Sequence, residues 1–109
     1  MSIQLPAPIE RYIEIANSGT PEAVAECFAA DAIVHDEGQT YEGVPAIKHW
    51  MAATKREYGH TIAALELAER GGKSVLKVRL AGSFPGSPIT VNFSFVLADG
   101  KIQSLEIRS

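Results

Sequence analysis

ITVNFSFVLADGKIQSLEI, residues 89–107, decides the fold. Ile89, Val91, Phe93, Phe95 and Leu97 alternate with Thr90, Asn92, Ser94 and Val96, a period of two that marks a strand with one buried face. Asp99-Gly100 is a two-residue hairpin signal, and Leu105 and Ile107 alternate with Glu106 beyond it. The segment therefore reads as two antiparallel strands. Upstream, Leu76, Val78 and Leu80 alternate with Val75, Lys77 and Arg79, and Gly71-Gly72 is a second hairpin signal. Residues 61–70 are rich in Ala, Leu and Glu and helical by propensity. The Gly-Gly turn that leads from them into a clear strand makes them a strand as well. These turns are too short for crossover helices, so the sheet is mainly antiparallel.

The first half is helical. Ile9, Tyr12, Ile13 and Ala16 share one face of a helix over residues 8–17, which Ser18-Gly19 stops. Thr20 caps a second helix with Pro21 at its first position, Glu22 in its first turn and Val24 and Phe28 on its apolar stripe. Residues 32–36 read as a short strand with Gln39–Glu42 as its candidate partner. Gly43 and Pro45 open a longer helix to Tyr58, with Ile47, Trp50, Met51, Thr54 and Tyr58 along its buried side and Gly59 ending it. The expected class is α+β, three helices packed on one face of a strongly curved sheet. Such a sheet closes into a cone whose apolar face lines a packed core or a blind pocket.

Composition narrows the function classes. With 109 residues the chain suits one domain, residues 1–109, and buries about two thirds of its surface. Ten basic against thirteen acidic residues leave a net charge of −3 and no basic-aromatic platform, which argues against nucleic acid. No apolar run is long enough to cross a membrane. The start lacks a cationic, apolar leader, and Cys27 is alone, which together fit a cytoplasmic protein. His35, His49 and His60 lack the spacing of a metal site, and His49 and His60 fall at exposed positions or element ends. Nucleotide-binding glycine loops, nucleophile elbows and zinc motifs are absent.

Four stretches carry a resemblance that spans nearly the whole chain: Arg11-Tyr12 through Asn17-Ser18-Gly19, FAADAIVHD at 28–36, EGVPAIKHW at 42–50 and NFSFVLADGKIQSLEI at 92–107. The sequence resembles the NTF2-like superfamily, which includes SnoaL-like polyketide cyclases and ketosteroid isomerases. The resemblance implies that Tyr12 stands where the isomerases place a phenol against the substrate oxygen, and Asp36 where they place the proton-moving carboxylate. Their second acidic donor corresponds to Val91, so that donor is missing, and a further helix tyrosine corresponds to Met51. Losing one such donor costs on the order of 10²–10³ in rate, which argues against steroid isomerisation itself.

The implied function is a SnoaL-like protein that binds a hydrophobic, carbonyl-bearing small molecule and moves a proton on it, in isomerisation or cyclisation, without a cofactor. Asp36 is the base and Tyr12 polarises the oxygen. Trp50, Phe28, Met51, Val91, Phe93 and Leu105 are expected around the ligand or in the core beside it. One strand register turns Ala32, Val34 and Asp36 inward, and the other brings His35 into the cavity instead. A non-catalytic ligand-binding or scaffold module is the alternative. An epoxide-hydrolase site needs an arginine between two aspartates, and Arg79 points to the polar side. The family likeness also implies a homodimer through the outer sheet face around Thr90, Asn92, Ser94 and Glu106.

Overall fold

A computed structural model describes residues 3–108. Helix α1 (Ala7–Ser18) is followed by a 3-10 helix (Pro21–Glu26), strands β1 (Phe28–Asp36) and β2 (Gln39–Glu42), helix α2 (Gly43–Tyr58), and strands β3 (Thr61–Arg70), β4 (Lys73–Ala81), β5 (Ile89–Ala98) and β6 (Lys101–Arg108). The six strands form one sheet in the order β2-β1-β6-β5-β4-β3. Every neighbouring pair is antiparallel except β1 with β6, which run parallel. The α+β architecture expected from the sequence is the one observed, three helices against a curved, mainly antiparallel sheet.

Local chemistry explains the elements. Gly71 and Gly72 have φ of 55° and 81°, the left-handed pair that a two-residue hairpin turn needs. That turn aligns Thr61–Arg70 with β4 from Thr61↔Ala81 to Arg70↔Lys73, so strand pairing overrides the helical propensity of its Ala, Leu and Glu residues. In α1 the buried residues are Ile9, Tyr12, Ile15 and Ala16, so Ile15 takes the place expected of Ile13. The segment after Gly19 is a single 3-10 stretch rather than an α-helix. Thr20 makes no capping bond to its backbone, and its hydroxyl pairs with that of Ser18 at 2.9 Å. The stretch Pro21–Glu26 is six residues long with Val24 alone buried, too little length and apolar face to sustain α geometry. β1 starts at Phe28, four residues earlier than expected, with an irregular step between Phe28 and Ile33 in its pairing with β6.

The inner face of the sheet is organised in rows across the strands. Val34, Leu105, Phe95 and Ser74 form one row through the registers β1–β6, β6–β5 and β5–β4. The three apolar members are fully buried, and Ser74 donates its hydroxyl to Glu69. The next row contains Ile107, Phe93 and Leu76. Tyr12 of α1 stacks over both rows, its ring centroid 5.8 Å from Phe95 and 6.2 Å from Phe93, and 5.8 Å from Phe28 edge-on. The first row is solid core, and the second opens onto a hollow.

Asn17 joins the helical layer to the sheet. Its side-chain amide donates to the Ile62 carbonyl at 3.0 Å and accepts from the Ile62 N–H at 2.7 Å, in the manner of a strand partner. Among the described residues, no helix is long and apolar enough to cross a membrane.

Candidate functional site

A cavity of about 510 Å³ lies between α2, the inner sheet face and the β4–β5 connection. Its polar wall begins at the end of β1, where Asp36 falls one residue beyond the paired register with β6 and faces inward with Ala32 and Val34. The Trp50 indole N–H donates to Asp36 Oδ2 at 3.0 Å. Burial raises the Asp36 carboxyl above the ordinary carboxylate range. The Trp50 N–H and the Glu37 backbone N–H favour its charged form and offset part of that rise. A half-buried carboxylate held by these two donors and facing a cavity is suited to taking a proton.

Tyr12 reaches the same cavity from α1. Its side chain is 2% exposed, and burial, with the nearby Asp36 charge as a second cause, pushes its phenol far above the ordinary tyrosine range. The phenol therefore keeps its proton and acts as a hydrogen-bond donor. Among the described residues no protein group takes that hydrogen bond, yet the oxygen is not a sealed orphan, since His60 Nδ1 is the one side-chain atom in that condition. The free valence of Tyr12 is thus directed to the cavity.

The remaining wall is largely aromatic and aliphatic. Trp50, Thr54 and Tyr58 lie four residues apart along α2 and all line the hollow. Tyr41 packs on Trp50 at 6.0 Å, and Tyr58 meets Phe84 edge-on at 5.9 Å near the β4–β5 connection. Phe93 and Ile107 supply the floor. Among the described residues no group of three or more His, Cys, Asp or Glu is placed to hold a metal ion.

Several expected ligand contacts fall elsewhere. His35 is exposed on the outer side of β1, where its Nδ1 pairs with Thr40 Oγ1 at 3.2 Å. The inward register of Asp36 dictates this, because adjacent strand residues face opposite ways. Phe28, Met51, Val91 and Leu105 are buried but do not line this cavity. Met51 is buried on α2, and Phe28, Val91 and Leu105 are buried on strands, packed in the core rather than against the hollow. Ile107 takes the floor position in place of Leu105. His60, expected to be exposed or at an element end, does lie at an element end, between α2 and β3, but is 9% exposed and lines the hollow. Nothing in its sequence neighbourhood marks it, whereas the spacing of Thr54 and Tyr58 from Trp50 marks those two.

Residues 9–105 match the family described as SnoaL-like domain. The chain belongs to the SnoaL-like family. Its fold is also that of a candidate polyketide cyclase, protein SMa1630 from Sinorhizobium meliloti, at 38% identity, TM-score 0.90 and 95% coverage of both chains. A ketosteroid isomerase-like protein from Catenulispora acidiphila, solved with trimethylamine, shares the fold at 19% identity and TM-score 0.83, over 97% of this chain and 87% of that one. The epoxide hydrolase/cyclase-like enzyme SalBIII of salinomycin pyran-ring formation does so at 20% identity and TM-score 0.78, over 94% and 87%. No curated protein matches the chain. The NTF2-like resemblance read from the four sequence stretches therefore holds for this SnoaL-like chain.

Proposed function

We propose that this SnoaL-like chain binds a hydrophobic, carbonyl-bearing small molecule and moves a proton beside the carbonyl, in an isomerisation or a cyclisation. One observation carries the reading: Asp36 and Tyr12 line the same mostly apolar cavity, with Trp50 fixing the carboxylate. Asp36 takes a proton from the carbon next to the carbonyl. The electron pair moves to the oxygen, where the Tyr12 O–H meets the developing charge. In a ligand with a C=C one carbon further on, return of the proton from Asp36 to the far end of the dienolate isomerises it. In a ligand with a second carbonyl, attack of the enolate carbon on that carbonyl closes a ring, and the alkoxide formed takes the proton that Asp36 removed. Both outcomes conserve electrons and consume no cofactor. Cyclisation is the variant favoured by likeness to the candidate polyketide cyclase SMa1630. The reading includes a cytoplasmic homodimer paired through the outer sheet face.

Val91 supports a second reading. By the resemblance it corresponds to the isomerases' second acidic donor, and a valine adds no hydrogen bond. A binding module without turnover would have the same cavity.

The test is hydrogen–deuterium exchange next to the carbonyl of trans-1-decalone in D2O, followed by NMR. The protein should accelerate exchange, with Asp36→Asn and Tyr12→Phe each lowering the rate by about 10²–10³. Ketone binding without accelerated exchange would establish the binding module instead.

A further inference from the structure

We propose that His60 is a second ligand-binding group of this cavity, donating its Nε2–H to an acceptor oxygen of a ligand whose carbonyl lies at Asp36 and Tyr12. The inference rests on the proposed function and deepens it, because it makes the ligand difunctional: an apolar body with two separate acceptor oxygens.

His60 lies between α2 and β3, and the residue is 9% exposed while lining the hollow. Among the described residues, its Nδ1 is the one buried side-chain polar atom without a hydrogen-bond partner. A sealed nitrogen facing no acceptor is best left as a bare lone pair, since an N–H there would be an orphan donor. The neutral imidazole then carries its proton on Nε2. Nε2 has no protein partner either and is not sealed, and His60 lines the cavity, so we place its open side there. A doubly protonated ring would bury an unpaired N–H close to the Lys55 ammonium. Burial, with Lys55 as a second cause, accordingly holds His60 below the ordinary histidine range.

The surroundings fix the backbone that carries the ring. Lys55 Nζ donates to the His60 carbonyl. The Ser83 N–H donates to the Tyr58 carbonyl at 2.8 Å, and Asn17 clamps Ile62 on the other side. Gly82 packs so closely that a Cβ there would stand 3.0 Å from His60 Cα. Positioning from both flanks and from the facing connection, around a nitrogen with no protein partner, is the arrangement of a recognition group.

The experiment compares trans-1-decalone with trans-decalin diones bearing the second carbonyl at carbon 4, 5 or 6. Affinities are read from the emission of Trp50, the only tryptophan in the chain. In the unaltered protein at least one dione should bind better than the monoketone. His60→Phe and His60→Asn should abolish that preference, a change of about tenfold in the dione-to-monoketone ratio. His60→Gln, whose amide N–H reaches the Nε2 position, should retain it. Nitrogen NMR of the unliganded protein should show the Nε2–H tautomer. A preference that survives His60→Phe, no dione bound better than the monoketone, or an Nδ1–H tautomer would each overturn the role of His60 while leaving Asp36 and Tyr12 standing. Failure of the monoketone itself to bind would remove the proposed function and this inference together.

Discussion

The indole N–H of Trp50 ties the middle of α2 to the last residue of β1 through the Asp36 carboxylate, 3.0 Å away. The contact supports the charged form of a group whose burial favours the neutral one. Asp36 therefore titrates above its ordinary value in the folded chain. The folded state holds this proton more tightly than the unfolded state does. Its contribution to stability is complete below the unfolded carboxylate value and is lost as pH rises through the raised one. Asp36→Asn should flatten the decline of Tm with pH over this interval and raise Tm at pH 7. Trp50→Phe should shift the interval to higher pH. Thermal melts from pH 3.5 to 8 check both, and an Asp36→Asn curve parallel to the unaltered one would contradict the assignment.

Asn17→Ala removes both amide contacts to Ile62 and leaves the first N–H of the inner face of β3 without its partner. The expected cost is about 1–2 kcal/mol. It should appear as a lower urea midpoint with an unchanged slope, because the surface exposed on unfolding is the same.

Gly82→Ala tests the close approach of the β4–β5 connection to the end of α2. The added Cβ would stand 2.7 Å from the Tyr58 carbonyl oxygen, and both that oxygen and His60 Cα are backbone atoms that cannot rotate away. Destabilisation of about 1–3 kcal/mol is expected, measured by the same denaturation. Gly86→Ala is not an equivalent control, since Gly86 has φ of 84° and would be strained for a different reason.

Cys27 offers a reporter of global opening. It is fully buried, its thiol is pushed up to about 12 by burial, and it contacts the Val24 carbonyl at 3.6 Å. Its reaction with a disulfide reagent at pH 8 should be slower in the native protein than in 6 M urea by a factor of ~10³ or more. The native rate should rise in step with each destabilisation predicted for Asn17→Ala and Gly82→Ala.

Much of this architecture was readable from periodicity. The alternation in Ile89–Ala98 and the paired turn residues at 71–72 and 99–100 name the strands and their hairpins without reference to anything distant. The parallel contact of β1 with β6 was not readable, because it joins residues about seventy positions apart and no local signal encodes such a pairing. Propensity also fails at Thr61–Arg70, where hydrogen bonding to β4 outweighs the helical preference of the side chains.

In the site, the inward face of each strand was legible but the hollow was not. Alternation places Leu105 and Ile107 on the same side of β6. Only the packing of Tyr12 and its neighbours determines that Leu105 is covered and that Ile107 borders open space. For a related reason His60 was not legible as buried. It sits at an element end, where exposure is the usual outcome, and its burial comes from the β4–β5 connection folding over it.

The parallel neighbour of β1 is β6, the strand that comes last along the chain. During synthesis, the helices and β1–β2 hairpin leave the ribosome long before the segment that must lie beside them. Until then the inner edge of β1 has no hydrogen-bonding partner, and α1 has no floor beneath Tyr12. The cavity, which Ile107 lines, cannot be complete before β6 is made, and in a nascent chain arrested before residue 101 the strand FAADAIVHD would lack its neighbour on that side, an edge open to association with other chains.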